Sequence, residues 1–198
     1  MLRQLTIVIF LLLLASISWW SLSLVTPNTK KQSTTSKEGP DFFMENFVST
    51  EMGENGVPMR QLKAQKLTHY PSDDRSELVH PVMTFFKDKQ NTWIAGAQQG
   101  TVRQGGDEIL MTGNVKIVKP TTATPTLEPA PEQWASQPAA ITIETQDLHI
   151  YVKKNYAETK SAVVIQQDQN KLTSVGMQAQ FDVGNIELLS QIRGRYEH

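Results

Sequence analysis

The chain has 198 residues, of which 39% are apolar, and it carries 19 basic and 20 acidic side chains. The net charge of −1 gives no electrostatic case for nucleic acid, which needs a basic surface to displace counterions. Because the sequence contains no cysteine, it excludes disulfides, thiol catalysis, thiolate zinc sites and lipidation on cysteine. The four histidines lie far apart without metal-ligand spacing, so we expect no metal site.

The first element along the chain is an apolar segment from Leu5 to Val25, 21 residues without a charge. At about 1.5 Å per residue, a helix of this length spans about 30 Å, the thickness of a bilayer hydrocarbon core. We therefore predict a membrane anchor helix over residues 1–25, with Trp19 and Trp20 near the interface. Its membrane residues would include Leu5, Ile9, Leu12, Ala15, Ser18, Trp19, Leu22 and Val25.

A cleaved secretory signal is the alternative interpretation of this segment. Arg3 would form its charged region, and Ser16 to Ser18 or Ser21 to Ser23 could serve as a cleavage site. The apolar run is longer than the usual core of a signal peptide, about 7–15 residues, which favours the retained anchor. Either segment directs export, so we predict a cytoplasmic N-terminus and an exported C-terminal body. Residues 26–40 are polar and typical of a tether.

From residue 41 onward, alternation of apolar and polar residues replaces helical periodicity, as between Ile109 and Ile117. Such alternation is typical of half-buried β-strands. Turn signals such as Pro71 to Asp74 and Gly105 to Asp107 lie between these stretches and indicate antiparallel hairpins. We therefore predict an all-β, antiparallel body over residues 41–198.

Four hairpins repeat along this body. Equivalent positions on the two strands of a hairpin lie 18 residues apart in three units and 16 apart in the fourth: Ala64 and Val82, Ala97 and Val115, Thr145 and Val163, Gly176 and Ile192. An insertion at 119–138 separates the second and third units. Because five of the ten prolines fall between Pro120 and Pro138, we predict an exposed loop there.

Stacked hairpins form a sheet with two free edges, and a sheet of many strands folds over to bury one face. In the first hairpin, Met83 and Phe85 offer one register for the inner face. We assign the opposite register, which places four apolar side chains inside: Leu62, Leu78, Val82 and Phe86. With few large aliphatic residues and no covering helix, the interior either holds an apolar guest or forms a slim core.

The sequence shows no catalytic constellation: GxSxG, HExxH, phosphate-loop and Rossmann patterns are all absent. Asp73-Asp74 and Asp107-Glu108 are adjacent carboxylates, but each pair falls in a predicted turn, where Asp favours the turn geometry. His69 and His80 flank the first turn, and we expect cross-strand polar pairing for them. We predict a non-enzymatic protein without a cofactor.

An apolar anchor, a polar tether and a body of repeated hairpins together resemble the LptC component of the lipopolysaccharide export machine of Gram-negative bacteria. The resemblance runs from about Phe42 to Tyr196. It is carried by four stretches: Leu62 to Tyr70, His80 to Phe86, Trp93 to Ala97 and Leu110 to Val115. The Pro-rich loop is longer than the family pattern, which leaves the register of the third hairpin open.

This resemblance implies a β-jellyroll, open along one side, that holds the acyl chains of lipopolysaccharide. The apolar faces would line its groove with Phe47, Leu62, Leu78, Val82, Phe86, Ile109, Met111, Val115, Ile117, Ile143 and Ile150. For each of these residues, ordinary sheet core remains the alternative interpretation.

The resemblance also implies a single-pass inner-membrane protein with a periplasmic C-terminal domain, whose helix packs against the permease subunits of an ABC transporter. Its N-terminal edge would receive lipid from a permease jellyroll through Phe42, Phe43 and Phe47. Its C-terminal edge would pass the lipid to a soluble periplasmic bridge protein of the same fold through Ile186, Leu188, Ile192 and Tyr196. Two alternatives stay open: a membrane-tethered scaffold without lipid cargo, and a signal-cleaved bridge protein of the same fold.

Overall fold

The computed structural model describes Trp19 and residues 39–86, 92–121 and 138–195. Its contacts divide the chain into two units, Met1–Ser36 and Lys37–His198, and the architecture below is that of the second. Most of the predicted anchor and tether, most of the Pro-rich loop, and Tyr196 lie outside the described residues. Within the described ranges, no helix is both long and apolar enough to cross a membrane.

The described part of the second unit is one sheet of 11 strands, and every pairing in it is antiparallel. The all-β, antiparallel prediction is confirmed. The strands are β1 (Phe42–Met52), β2 (Pro58–Tyr70), β3 (Arg75–Val79), β4 (Val82–Phe85), β5 (Trp93–Gly96), β6 (Gln99–Arg103), β7 (Glu108–Pro120), β8 (Ala139–Tyr151), β9 (Tyr156–Gln167), β10 (Asn170–Gln180) and β11 (Asn185–Arg195).

Neighbouring strands in this sheet are also neighbours in the chain. Strands β3 and β4 act as one interrupted strand, because Lys66 pairs with Val79 and Lys63 with Val82 in one continuous register of β2. Strands β5 and β6 form a second interrupted strand between this one and β7. All four predicted hairpins are therefore present, and β1 and β11 are the edges of the sheet among the residues that the structure describes.

Several strands bend near their middle, where a residue has the left-handed backbone conformation. These positions are Asn46 in β1, His80 between β3 and β4, Asn114 in β7, Gly176 in β10 and Gln191 in β11, with φ between 48° and 81°. Since a bend in one strand must continue into its neighbours, the sheet creases into two arms. The turn arm comprises β3, β6 and the halves of the long strands that lie next to the turns of the four predicted hairpins, which follow β2, β6, β8 and β10. The far arm comprises β4, β5 and the opposite halves of the long strands.

The main core lies between the two arms. The ring of Phe85 in β4 stacks on that of Phe181, just after β10, with centroids 4.4 Å apart, and Trp93 in β5 lies 6.1 Å from Phe181. Because β4 and β10 are not neighbours in the sheet, this contact requires the sheet to fold over. The cluster around these rings buries Met83, Ala95, Ile109, Met111, Val115, Ile117, Ile143, Leu148, Ile150, Val152, Ala157, Val163, Ile165, Met177 and Ala179.

Candidate functional site

A cleft of about 710 Å³ opens between the arms beside the edge strand β1. The far arm contributes Phe47, Leu62 and Met83 to its wall, and the turn arm contributes Leu67, Val102 and Ile109. These side chains face the cleft because successive residues of a strand point to opposite faces of the sheet. The cleft is thus the part of the apolar interior that β1 leaves open.

The apolar wall of the cleft is continuous with the main core. Ala64, Leu67 and Leu78 form a smaller buried cluster at this end of the sheet. Leu62 and Val102 are partly buried and pack against both this cluster and the main core. An apolar guest in the cleft would therefore contact side chains already excluded from water, and about 25 cal/mol would be gained for each Å² of its buried apolar surface.

One side of the cleft mouth is closed by Arg60 of β2. This is the one charged side chain that the structure buries within its described ranges, at 6% exposure. Its Nε donates to Oε2 of Glu51 at 2.8 Å and its Nη2 to Oε1 at 2.5 Å. Its Nη1 donates to the carbonyl oxygen of Val152 and, at 3.2 Å, to Oδ1 of Asn155. Arg60 therefore links the far arm to the turn between β8 and β9 on the opposite arm.

His69 lies at the other end of the cleft wall. Its Nδ1 lies 2.7 Å from Oδ1 of Asp41 and its Nε2 lies 3.4 Å from Oδ1 of Asp74, and its ring stacks on Phe42 with centroids 4.8 Å apart. The hydrogen bond with Asp41 raises the pKa of His69 above its ordinary value of 6.5, and lowers the pKa of the Asp41 carboxyl. Protonated His69 therefore holds the start of β1 to the turn between β2 and β3.

The structure brings three of the predicted groove residues into the cleft: Phe47, Leu62 and Ile109. Leu78 lies in the small cluster beside it. Five others are sealed in the main core at 1% exposure or less: Met111, Val115, Ile117, Ile143 and Ile150. Val115 also borders a second cleft of about 440 Å³ over the bend shared by β7, β8 and β9. Phe86 follows β4, is half-buried, and donates its backbone N–H to the carbonyl oxygen of Met59.

Val82 lies apart from the predicted inner face. It packs with Ile94 and Val118 in a separate cluster, while Met83 and Phe85 occupy the main core. Strand β4 therefore has Met83 and Phe85 on its inner face, and the register predicted from the sequence, with Val82 inside, is wrong. The cause is the interruption at His80, whose positive φ reverses the side-chain alternation between Leu78 in β3 and Met83 in β4.

Residues predicted for the partner edges fall into two groups. Phe47, Ile186 and Leu188 are partly buried and pack against the interior clusters. Phe42, Phe43 and Ile192 are 45%, 64% and 56% exposed, and Lys66 lies 5.4 Å from the centroid of the Phe43 ring. Both edge strands thus carry apolar side chains on two faces, and both have unpaired backbone groups on their outer side within the described ranges.

Sequence reasoning missed Arg60 and Glu51. Basic and acidic residues on a strand normally indicate a solvated face, and no local pattern shows that a distant turn will cover one of them. It also missed the pairing of His69 with Asp41, although cross-strand polar pairing was expected for both histidines. His80, just after β3, does pair with a residue of β2, since its Nδ1 lies 2.9 Å from Oε1 of Gln65.

Comparison with known proteins decides the family. A family model described as "LptC: Lipopolysaccharide-assembly, LptC-related" matches residues 7–197, nearly the whole chain. The chain belongs to the LptC family. No curated protein matches it.

Among solved structures, this LptC-family chain is similar to the crystal structure of LptH, the LptA-homologous periplasmic component of the lipopolysaccharide transport device of Pseudomonas aeruginosa. The identity is 9% and the TM-score 0.42, over 82% of this chain and 99% of the LptH chain. The assignment rests on the family match, which places the LptC-family chain in lipopolysaccharide transport.

Proposed function

We propose that this protein receives lipopolysaccharide from an inner-membrane ABC transporter and passes it along the apolar interior of its folded sheet to a periplasmic bridge protein. The observation that carries the proposal is the cleft beside β1, which is apolar inside, polar at its mouth and continuous with the core. Such a site suits a ligand whose tails are apolar and whose head is charged and hydrated.

The mechanism is non-enzymatic and uses burial of acyl chains. Each methylene group moved from water into the cleft contributes about 0.8 kcal/mol, so a few buried segments hold the lipid. The sugars and phosphates stay in water at the mouth, because their burial without partners is costly. ATP hydrolysis by a partner in the cytoplasm supplies the energy for transport.

The two free edges suit a chain of like domains. Unpaired backbone groups on β1 and β11 invite strand addition, which would extend one sheet into the next and join their interiors. In the proposal, β1 with Phe42, Phe43 and Phe47 receives lipid from a permease jellyroll. Strand β11 with Ile186, Leu188 and Ile192, followed by Tyr196, passes it to the bridge protein.

The proposal places the protein in the inner membrane with its N-terminus in the cytoplasm. The apolar segment from Leu5 to Val25 is long enough to span the bilayer as a helix. Small residues at Ala15, Ser18 and Ser21 would let permease helices approach closely. The tether would then let the sheet reach the periplasmic domain of the permease.

Photo-crosslinking in cells tests the proposal. Phe47 and Val48 are adjacent apolar residues of β1, but Phe47 faces the cleft and Val48 is 55% exposed on the other face. We expect a photoreactive residue at position 47 to capture lipopolysaccharide and one at position 48 to capture far less. Equal capture at both positions would indicate that lipid adheres to the surface of β1 without entering the cleft. Absence of lipid at position 47, with the protein folded and expressed, would refute lipid transport and favour the scaffold.

A further inference from the structure

The guanidinium of Arg60 occupies an unusual place for a charge. Its side chain is 7% exposed and lies at the mouth of an apolar cleft, whereas its partner Glu51 is 50% exposed. A desolvated cation needs an anion close by, and loss of that partner is strongly destabilising. The anion itself can be exchanged without that loss, provided that another anion enters from the same exposed side.

The geometry of the pair suits such an exchange. Two nitrogens of Arg60 hold the two oxygens of Glu51 side by side, which is the fork that also binds two oxygens of a phosphate. The third nitrogen is held by the carbonyl oxygen of Val152 and by Asn155. These neutral contacts keep the fork aimed at the mouth whichever anion occupies it.

Two other side chains with a permanent positive charge line the cleft, and they differ in whether a carboxylate pairs with them. Lys153 lines the same cleft and pairs with Asp107, with Nζ and Oδ2 2.6 Å apart. Arg103 also lines the cleft, and within the described ranges no carboxylate forms an ion pair with it. An entering anion would thus meet a buried fork and a nearby exposed cation.

We propose that Arg60 is a headgroup subsite, in which a phosphate monoester of the glycolipid headgroup displaces the Glu51 carboxylate while the acyl chains enter the cleft. This inference rests on the proposed function, because the lipid supplies the phosphate. In the empty protein Glu51 satisfies the guanidinium, and in the loaded protein the phosphate does. Glu51 then turns into water, where a half-exposed carboxylate is readily solvated.

Binding of two lipids to the full-length chain in detergent tests the subsite. The lipids are bisphosphorylated lipid A and the same lipid A after enzymatic removal of both phosphates. We expect the phosphorylated lipid to bind the native protein about tenfold more tightly, the effect of one charge-assisted bidentate pair. Arg60→Lys keeps the charge but loses the fork, so this ratio should fall about fivefold.

Two substitutions of glutamate in β1 separate the subsite from a simple strut between the arms. Glu51→Gln removes the competing carboxylate and leaves the buried guanidinium to pair with the phosphate, so the ratio of the affinities for the phosphorylated and the dephosphorylated lipid should rise about threefold. Glu45→Gln, at an exposed position of the same strand, should leave this ratio unchanged. If Arg60 and Glu51 serve only to join the two arms, Glu51→Gln should leave the ratio unchanged as well.

Each outcome of this experiment is decisive. An equal affinity for the two lipids in the native protein, or an Arg60→Lys variant with an unchanged ratio, would overturn the subsite and leave lipid transport standing. No binding of either lipid would overturn the proposed function itself. Inorganic phosphate supplies the same anion without a lipid, and it is therefore added as a competitor in the same binding experiment. If it displaces neither lipid at equal concentration, the subsite belongs to the lipid headgroup. If it binds while the two lipids do not differ, the site is a free-anion site and the proposal fails.

Discussion

The stacking of Phe181 on Phe85 allows a direct test of the fold, because it joins strands that meet only when the sheet creases. Phe181 is 4% exposed and its ring centroid lies 4.4 Å from that of Phe85 and 6.1 Å from that of Trp93. Replacement by alanine would remove a ring from the centre of the contact between the two arms. We expect a large loss of stability that spreads to both arms.

The magnitude follows from the area of the ring. A buried phenylalanine covers about 150–250 Å², which at about 25 cal/mol for each Å² corresponds to about 4–6 kcal/mol. Substitutions of buried Phe by Ala cost about 3–5 kcal/mol in practice, because the cavity collapses only in part. Since domains of this size are stable by about 5–15 kcal/mol, Phe181→Ala should leave the protein folded but marginal.

Hydrogen exchange of the full chain measures this loss. The slowest amides of β4 and β10 should exchange about two to four orders of magnitude faster, since 1.4 kcal/mol corresponds to a factor of ten. Phe43→Ala is the matched control, because Phe43 is 64% exposed on β1 and should cost about 0.5 kcal/mol or less. If both variants exchange alike, or if only β10 is affected and β4 is not, the two arms do not share one core and the reasoning is refuted.

Three further predictions concern the start of β1, the bend of β10 and the cleft. Because its partners raise the pKa of His69, the attachment of the first residues of β1 should be complete below about pH 6.5 and weaken as pH rises through the raised pKa; exchange corrected for intrinsic rate should show this, and His69→Gln should abolish it. Gly176→Ala should cost about 1–2 kcal/mol in urea unfolding, because φ is 81° and the new Cβ would lie 3.0 Å from Cδ1 of Leu189; a neutral effect would show that the bend relaxes freely. Leu62→Asp should lower lipid crosslinking from the cleft about tenfold, whereas Val48→Asp on the other face of the sheet should leave it unchanged; equal losses would contradict the assigned faces.

The hairpins could be predicted from the sequence because their signals are local. Turn residues such as Asp73-Asp74 and Gly105-Gly106 stand between alternating stretches, and strand pairing in a meander needs only neighbours in the chain. The two edge strands were expected from the family resemblance together with the order of the hairpins. The side-chain parity from Ile109 to Ile117 was also predictable, because Ile109, Met111, Val115 and Ile117 all enter the core.

The features that the sequence did not reveal all depend on the crease between the two arms of the sheet. The parity of β4 changes at His80, which has a positive φ. Asn, Asp and His adopt a positive φ more often than other non-glycine residues, but the residue type alone does not show which of them will do so. The burial of Arg60 depends on Val152, which lies 92 positions further along the chain. The position of the cleft depends on which strand halves face each other across the crease, and alternation alone cannot specify this.

The order of the strands has a consequence for how the molecule is made. Each strand from β2 onward finds its sheet partner in the chain just synthesised, so pairing can advance from the N-terminus as the polypeptide emerges. The closure between the arms cannot advance in this way, because Phe85 and Trp93 must wait for Phe181, near the end of the chain. Until then the growing sheet presents an open apolar face. A pause in synthesis before residue 181 therefore leaves a chain whose strands are hydrogen-bonded but whose apolar face is still exposed to water.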